Sequence, residues 1–494
     1  MYSLGFDVGS SSIKASILDV ESGKVVADGF YPKEEMTINS PLSGFAEQNP
    51  EIWWEYSKLL LKQLLREKKI DGKKIKSIGI SYQMHGLVLV DKDQNVLRPS
   101  IIWCDSRAVN IGNNAFNTIG EEYCLRHLLN SPGNFTASKL AWVKQNEPEV
   151  FSKIYKFMLP GDYIAMKLTG EISTTISGLS EGIFWDFAEN KISDKVLEHY
   201  GIPKSFVPEI NPTFSVQGKI KNSIADELGI AFDAVVSYRA GDQPNNAFSL
   251  NVLNAGEVAA TAGTSGVVYG VIDKVNYDEL SRVNQFAHLN HTRDQISLGV
   301  LLCINGTGIQ NSWLRKNFAS TLSYNEINQL ASKIPIGSEG VSVLPFGNGA
   351  ERVLQNKNIG SQIIDLDFNR HTLAHVFRAA QEGIVFTFKY GVDIMQKMGL
   401  NINVIRAGKG NMFLSEIFRD TLANITGASI ELYETDGAQG AARGAAIGCG
   451  AYSSFAEAFA SLKKLEVVNP NSKFIAETEA AYSKWLTNLE KELQ

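Results

Sequence analysis

Apolar and polar residues alternate cleanly over the first nine positions. Tyr2, Leu4, Phe6 and Val8 fall on one side, and Ser3, Gly5, Asp7 and Gly9 on the other. That is the period of a β-strand, so Asp7 faces away from the apolar side. After the loop Gly9-Ser10-Ser11-Ser12, Ile13, Ala15 and Ile17 resume the alternation as far as Asp19. The segment V-E-S-G-K then makes a second turn. The pattern predicts a meander of strands whose first loop is a run of small hydroxyl residues.

Helical spacing takes over after Asn49-Pro50, where Asn serves as N-cap and Pro as the first helical residue. The run K-I-K-S-I-G-I-S-Y reads as a strand leading into Gln83-Met84-His85-Gly86, and L-V-L-V-D as another. The second half restarts in the same manner. A-V-V-S-Y-R-A-G-D-Q-P-N-N-A-F predicts a strand, a Gly-Asp turn and a helix start. Residues 371–399 carry a long helical pattern that ends at Gly399. I-N-V-I-R-A-G-K-G-N-M-F predicts a strand and a glycine-rich turn. Gly437, Gly440, Gly444 and Gly448 recur on one face of a helix, where a backbone or a ligand can approach closely. Strands and helices alternate throughout, so the fold class is α/β.

The two halves resemble each other. Placing Gly9 over Gly263, an offset of 254 residues (263 − 9), sets G-S-S-S-I-K-A-S-I-L-D over G-T-S-G-V-V-Y-G-V-I-D. Self-similarity at half the chain length predicts two topologically related halves. Each opens with a strand, a hydroxyl loop and a strand.

Composition narrows the classes. The chain has 494 residues, 44% hydrophobic and 20% charged, enough for two or more domains with real cores. A net charge of −6 provides no basic field for nucleic acid or an anionic membrane. No apolar run reaches the length of a membrane span, and the first residues lack the pattern of a signal peptide. Cys104, Cys124, Cys303 and Cys449 are scattered without a C-x-x-C pair. That spacing fits a reducing cytoplasm and argues against structural zinc.

No Walker A motif and no G-x-G-x-x-G occur, so phosphate binding would need another device. Two hairpin loops of small hydroxyl residues are one, because their N–H groups and hydroxyls can converge on phosphate oxygens. Asp242 precedes Gln243-Pro244. By spacing alone it reads first as a helix N-cap, and second as a carboxylate at a strand end able to take a proton from a hydroxyl. His371 and His375, and His288 and His291, lack a third partner and are read as structural rather than metal-binding.

The ordered set D-V-G-S-S-S (7–12), Q-M-H-G-L-V-L-V-D (83–91), L-R-P-S-I-I-W-C-D-S-R (97–107), T-A-S-K-L-A-W-V (136–143), L-P-G-D-Y (159–163), A-G-D-Q (240–243) and A-G-T-S-G (262–266) resembles the FGGY family of carbohydrate kinases, in its xylulose-kinase branch. The resemblance implies two RNase-H-like domains around a central cleft, residues 1–244 and 245–494, with ATP, Mg²⁺ and a sugar hydroxyl as acceptor. It implies phosphorylation of a pentulose, D-xylulose first, with ribulose, fuculose or a glycerol-like polyol as alternatives. Asp242 would be the general base, ionised near neutral pH if its pKa is the ordinary value of about 3.9. Asp7 and Asp242 would face the metal. Met84, His85, Asp105, Arg107, Asp242 and Gln243 would meet the sugar. Gly9, Ser10, Ser11, Ser12, Gly263, Thr264, Ser265, Gly308, Ser312, Gly408, Gly410 and Asn411 would meet the nucleotide. A cytoplasmic enzyme is expected, and a homodimer is compatible with the resemblance. A non-catalytic sensor of the same fold is the reading from another class, but Asp7 and Asp242 are both retained. The chain departs from the family at Lys409, inside what is usually a run of glycines. It departs again at 173–182, where the usual Asp residues are missing, and at Val353-Leu354, where Thr-Pro is usual.

Overall fold

The computed structural model describes residues 1–349 and 352–494. A first sheet holds six strands: β1 (Tyr2–Val8), β2 (Ile13–Asp19), β3 (Lys24–Tyr31), β4 (Ile75–Tyr82), β5 (Phe214–Lys219) and β6 (Val235–Gly241), in the order β5-β6-β4-β1-β2-β3. β1, β2 and β3 are an antiparallel meander. β4 and β6 continue parallel to β1, and β5 closes the edge antiparallel.

The second sheet repeats this plan. Its seven strands are β7 (Val258–Ala262), β8 (Gly266–Ile272), β9 (Asn284–Ala287), β10 (Leu298–Ile304), β11 (Val404–Gly408), β12 (Ser429–Tyr433) and β13 (Lys464–Val468), in the order β9-β10-β8-β7-β11-β12-β13. Here β7, β8 and β10 are the antiparallel meander, β11 and β12 run parallel to β7, and β13 closes antiparallel. β1 ends at Val8 and β7 at Ala262, which is the spacing expected from the hydroxyl loops. The two related halves predicted from the repeat are present.

Seven helices bear on the site: α1 (Pro50–Glu67), α2 (Pro160–Thr169), α3 (Ile176–Glu181), α4 (Asp242–Ser249), α5 (Gly308–Phe318), α6 (Leu373–Lys397) and α7 (Gly437–Gly448). α1 starts as predicted, with the Asn49 side chain accepting from the Glu51 N–H at 3.1 Å. It covers the face of the first sheet carrying Leu4, Phe6 and Val8, with Trp53, Leu60 and Leu61 buried in the same core.

The other face of β1 explains its small residues. Ser3, Gly5 and Asp7 stand in register with Ser77, Gly79 and Ser81 of β4, making a shallow bed. α7, from late in the chain, lies in it. Ser3 Oγ donates to the Ala442 carbonyl at 2.7 Å, and Ser237 Oγ to that of Ala445 at 2.8 Å. A Cβ at Gly5 would come to 2.0 Å from the Ala438 carbonyl oxygen, and one at Gly79 to 2.0 Å from that of Ala441. On the helix itself, a Cβ at Gly448 would come to 1.8 Å from the Ser237 carbonyl oxygen. The glycine stripe predicted on one helix face thus meets backbone at Gly448, the Tyr238 ring at Gly444 and the Asp7 carboxylate at Gly437, while under the helix Gly5 and Gly79 meet its backbone. Because the obstacle is backbone and cannot rotate away, Gly5→Ala is expected to cost about 3 kcal/mol, the upper end of overpacking penalties. A denaturant midpoint equal to that of the unaltered protein would contradict this packing.

Candidate active site

β1 delivers Asp7 to the C-terminal end of the first sheet, beside the hydroxyl loop. Ser81 Oγ donates to Asp7 Oδ1 at 2.8 Å. A Cβ at Gly437, the first residue of α7, would stand 2.7 Å from Asp7 Oδ2. The acid thus faces the positive end of a twelve-residue helix, where negative charge is favoured.

α4 brings the second acid. Asp242 is not the N-cap: Gly241 holds that position and no side-chain cap bond is made. The carboxylate is held instead by the N–H and side-chain amide of Gln243. Burial, and then the negative charge of Asp7, push its pKa up to about 7. This corrects the ordinary value assumed from sequence, which carries no information on burial. Asn245 on α4 ties the two helix starts together, its Nδ2 donating to the Gly437 carbonyl at 2.8 Å. Two carboxylates close enough to feel each other's charge supply hard oxygen donors, the chemistry a small divalent cation takes, so Asp7 and Asp242 fit such an ion.

The first hydroxyl loop is a tight hairpin closed by Gly9 N–H donating to the Ser12 carbonyl at 3.1 Å. Trp103 Nε1 donates to Ser10 Oγ at 3.2 Å, and Met36 N–H to the Ser11 carbonyl at 2.8 Å. Lys14 pairs directly across from Asp7 on β2. In the second half, the start of α5 braces the matching loop: Gly308 N–H donates to the Gly263 carbonyl at 2.8 Å and Ile309 N–H to that of Thr264 at 3.2 Å. Ser312 lies one turn further along α5. Asn411, with φ +52°, brings Nδ2 to 3.5 Å from where a Gly263 Cβ would stand. Gly408 abuts the Thr435 carbonyl, 3.7 Å from its would-be Cβ, and Thr435 leads into α7. Contacts thus run from Asp7 and Gly437, at the start of α7, by way of Thr435 to Gly408, and from Asn411 to Gly263 and Gly308. Thr264 is exposed and Ser265 half-buried beside it, while the Gly410 N–H turns back to the Gly408 carbonyl at 2.9 Å. Lys409 turns away, its ammonium 3.0 Å from Glu466 Oε2.

The Q-M-H-G turn follows β4. Met84 is buried against Gly241. His85 adopts φ +62°, and its Nδ1 lies 3.0 Å from the Glu181 carbonyl oxygen. A carbonyl only accepts, so Nδ1 carries the proton. Burial, with the Lys139 charge second, lowers the imidazole pKa to about 3. The ring is therefore neutral and Nε2 is left as an acceptor.

Asp105 and Arg107 are both buried, and their charges are met within the protein. Asp105 Oδ2 accepts from Ala46 N–H at 2.6 Å and pairs with Arg107 at 2.7 Å, while Arg107 also pairs with Glu47 at 2.7 Å. This network braces the loop that carries Trp103, which is half exposed.

Three residues were not singled out from sequence. Lys139, inside T-A-S-K-L, is fully buried, and its Nζ donates to the His85 carbonyl at 2.8 Å and the Ile102 carbonyl at 2.9 Å. It pins the Q-M-H-G turn to the Trp103 loop. Glu181 is buried at the end of α3 with Oε2 unpartnered among the described residues. Burial and the charge of Asp242 push its carboxyl well above the ordinary range. Phe286 of β9 packs against the His85 ring from the other half of the chain. Only Lys139 had a signal, a charge at a core-facing position of an apolar helix.

Comparison with known proteins places this chain in a family. The model for the N-terminal domain of the FGGY family of carbohydrate kinases matches residues 2–249, and that for its C-terminal domain residues 258–453. The chain is 30% identical to a xylulose kinase of Haemophilus influenzae, over 98% of this chain and 99% of that one. A xylulose kinase structure from Rhodospirillum rubrum superposes with a TM-score of 0.90 at 24% identity, covering 99% of each chain. A gluconate kinase structure from Lactobacillus acidophilus does so with a TM-score of 0.90 at 24% identity, covering 100% of this chain and 98% of that one.

Proposed function

The chain belongs to the FGGY family of carbohydrate kinases, and from that premise we propose that it transfers the γ-phosphoryl group of ATP to D-xylulose, giving D-xylulose 5-phosphate. The observation that carries the reading is Asp242, an acid at a helix start that caps nothing and stands by Asp7. Phosphoryl transfer asks for positioning and charge stabilisation more than for covalent chemistry. Mg²⁺, when bound, supplies charge to offset the phosphates, and Asp7 and Asp242 would hold it. Asp242 orients the sugar hydroxyl and takes its proton. His85 accepts a sugar hydroxyl at Nε2, with Met84 and Gln243 lining the same pocket. Asp105 and Arg107 act on the sugar through the Trp103 loop they brace.

Residues 9–12 and 263–265 receive phosphate oxygens. Gly308, Ser312, Gly408, Gly410 and Asn411 form the bed for the rest of the nucleotide. The domains divide as residues 1–244 and 245–494, with α7 of the second resting on the first sheet. No helix among the described residues is long and apolar enough to cross a membrane, and no disulfide joins the four cysteines. A cytoplasmic location is part of the same proposal.

The xylulose assignment draws on the name of the Haemophilus relative. The fold itself is shared equally with a gluconate kinase structure. ADP release with MgATP across D-xylulose, D-ribulose, L-fuculose, glycerol and D-gluconate should therefore give its highest kcat/KM with D-xylulose. No signal with D-xylulose, alongside turnover of another acceptor, would reassign the substrate and keep the family.

A further inference from the structure

β9 is the edge strand of the second sheet, yet its outer edge is not left open. Side chains from the N-terminal half complete it. Asn130 Oδ1 accepts from Gln285 N–H at 3.0 Å, and its amide donates to the Gln285 carbonyl. Ser180 Oγ accepts from Ala287 N–H at 2.9 Å, and Ser177 Oγ donates to the Ala287 carbonyl at 3.0 Å. Three side chains thus meet four main-chain groups that another strand would otherwise take. The residue fixed between them is Phe286, whose side chain is buried.

The seam leads to His85. The Phe286 ring lies 5.3 Å from the imidazole at 47°, and Phe135 meets the same imidazole edge-on at 4.7 Å. α3, whose serines hold β9, ends at Glu181, whose carbonyl fixes His85 Nδ1. One short helix therefore ties the imidazole and the ring covering it to the same support. We propose that Phe286, supplied by the C-terminal half, is a positioning residue for the acceptor sugar, holding the His85 imidazole so that Nε2 receives a sugar hydroxyl. The inference rests on the reading of His85 as a sugar contact.

The charged groups facing His85 are Lys139, Arg352 and Glu181. Lys139 and Arg352 disfavour a charged ring, the hydrogen bond to the Glu181 carbonyl favours one, and burial outweighs it. Removing the aromatic cover admits water and moves the imidazole back towards its ordinary value.

The test uses Phe286→Ala, with Phe286→Leu as the variant that keeps the core filled. In Phe286→Ala the KM for the sugar should rise about tenfold, the worth of one well-made hydrogen bond, with kcat at saturating sugar and KM for ATP little changed. Phe286→Leu should fall between it and the unaltered protein. Nitrogen-detected NMR of the sugar-free protein gives a second readout, with His85 identified by loss of its signal in His85→Gln. The unaltered protein should keep a neutral, Nδ1-protonated ring from pH 5.5 to 8, whereas the ring should titrate within that window in Phe286→Ala. If Phe286→Ala does not fold, Phe286→Leu decides on the same two readouts. Unchanged sugar KM with an imidazole that still does not titrate would overturn the proposal, as would a loss confined to kcat or to KM for ATP. Should the unaltered protein phosphorylate none of the sugars, the substrate reading falls and the imidazole titration still judges Phe286.

Discussion

Asp242→Asn should lower turnover by about 10²–10⁴-fold, the range for loss of a general base, while sugar binding and melting temperature stay close to those of the unaltered protein. The reason lies in where the side chain stands. Asp242 begins α4 without capping it, and an Asn oxygen can still accept from the Gln243 N–H that the carboxylate accepts from, so the helix start is kept when the acid becomes an amide. Its pKa of about 7 comes from burial first and from Asp7 second. Asn keeps the shape but cannot take a proton. Coupled ADP-release assays with the best acceptor measure the loss, and calorimetric titration with the sugar alone checks that binding persists. Near-normal turnover in Asp242→Asn would remove Asp242 from the role of base.

Gly437→Ala carries the second large effect, about 10²-fold in kcat, as expected when a reacting group is displaced by about an ångström. The added Cβ would stand 2.7 Å from Asp7 Oδ2 and 3.1 Å from Asn246 Oδ1. Something must shift, and the movable partner is the Asp7 carboxylate. Gly437 is the first residue of α7, where alanine costs no helix propensity, so stability should change little. The pair kcat and melting temperature separates this from Gly5→Ala, which acts under the middle of the same helix and should cost stability as well. Unchanged kcat in Gly437→Ala would show that Asp7 tolerates displacement and does not position the reaction.

Much of this was legible in the chain. The alternation at 2–8 predicted a strand with Asp7 on its non-apolar side, because side chains on a strand alternate strictly. The echo of Gly9 at Gly263 predicted two halves of one plan, and the sheet orders agree. The glycine stripe of α7 predicted a close approach and left open what approached. The resemblance led to Asp242 where spacing alone favoured a cap. The roles of Asp105 and Arg107 were less legible: their types announced charge, while their partners Glu47 and Ala46 lie about sixty residues away along the chain.

The sequence by itself determined the opening strands and hydroxyl loops of both halves, the helix start at Pro50, the repeat and the types of group available for chemistry. These follow from local periodicity and from residue identity. Only the tertiary structure decided that α7 crosses back to lie on the first sheet, and that Asp7 and Asp242 share one charge environment. It alone set Glu181 and Phe286 at His85. Each of those depends on burial and on contact between distant segments. A lone carboxylate or ring in a sequence carries neither its desolvation nor the charge of its neighbours, and those two quantities set its pKa and its use.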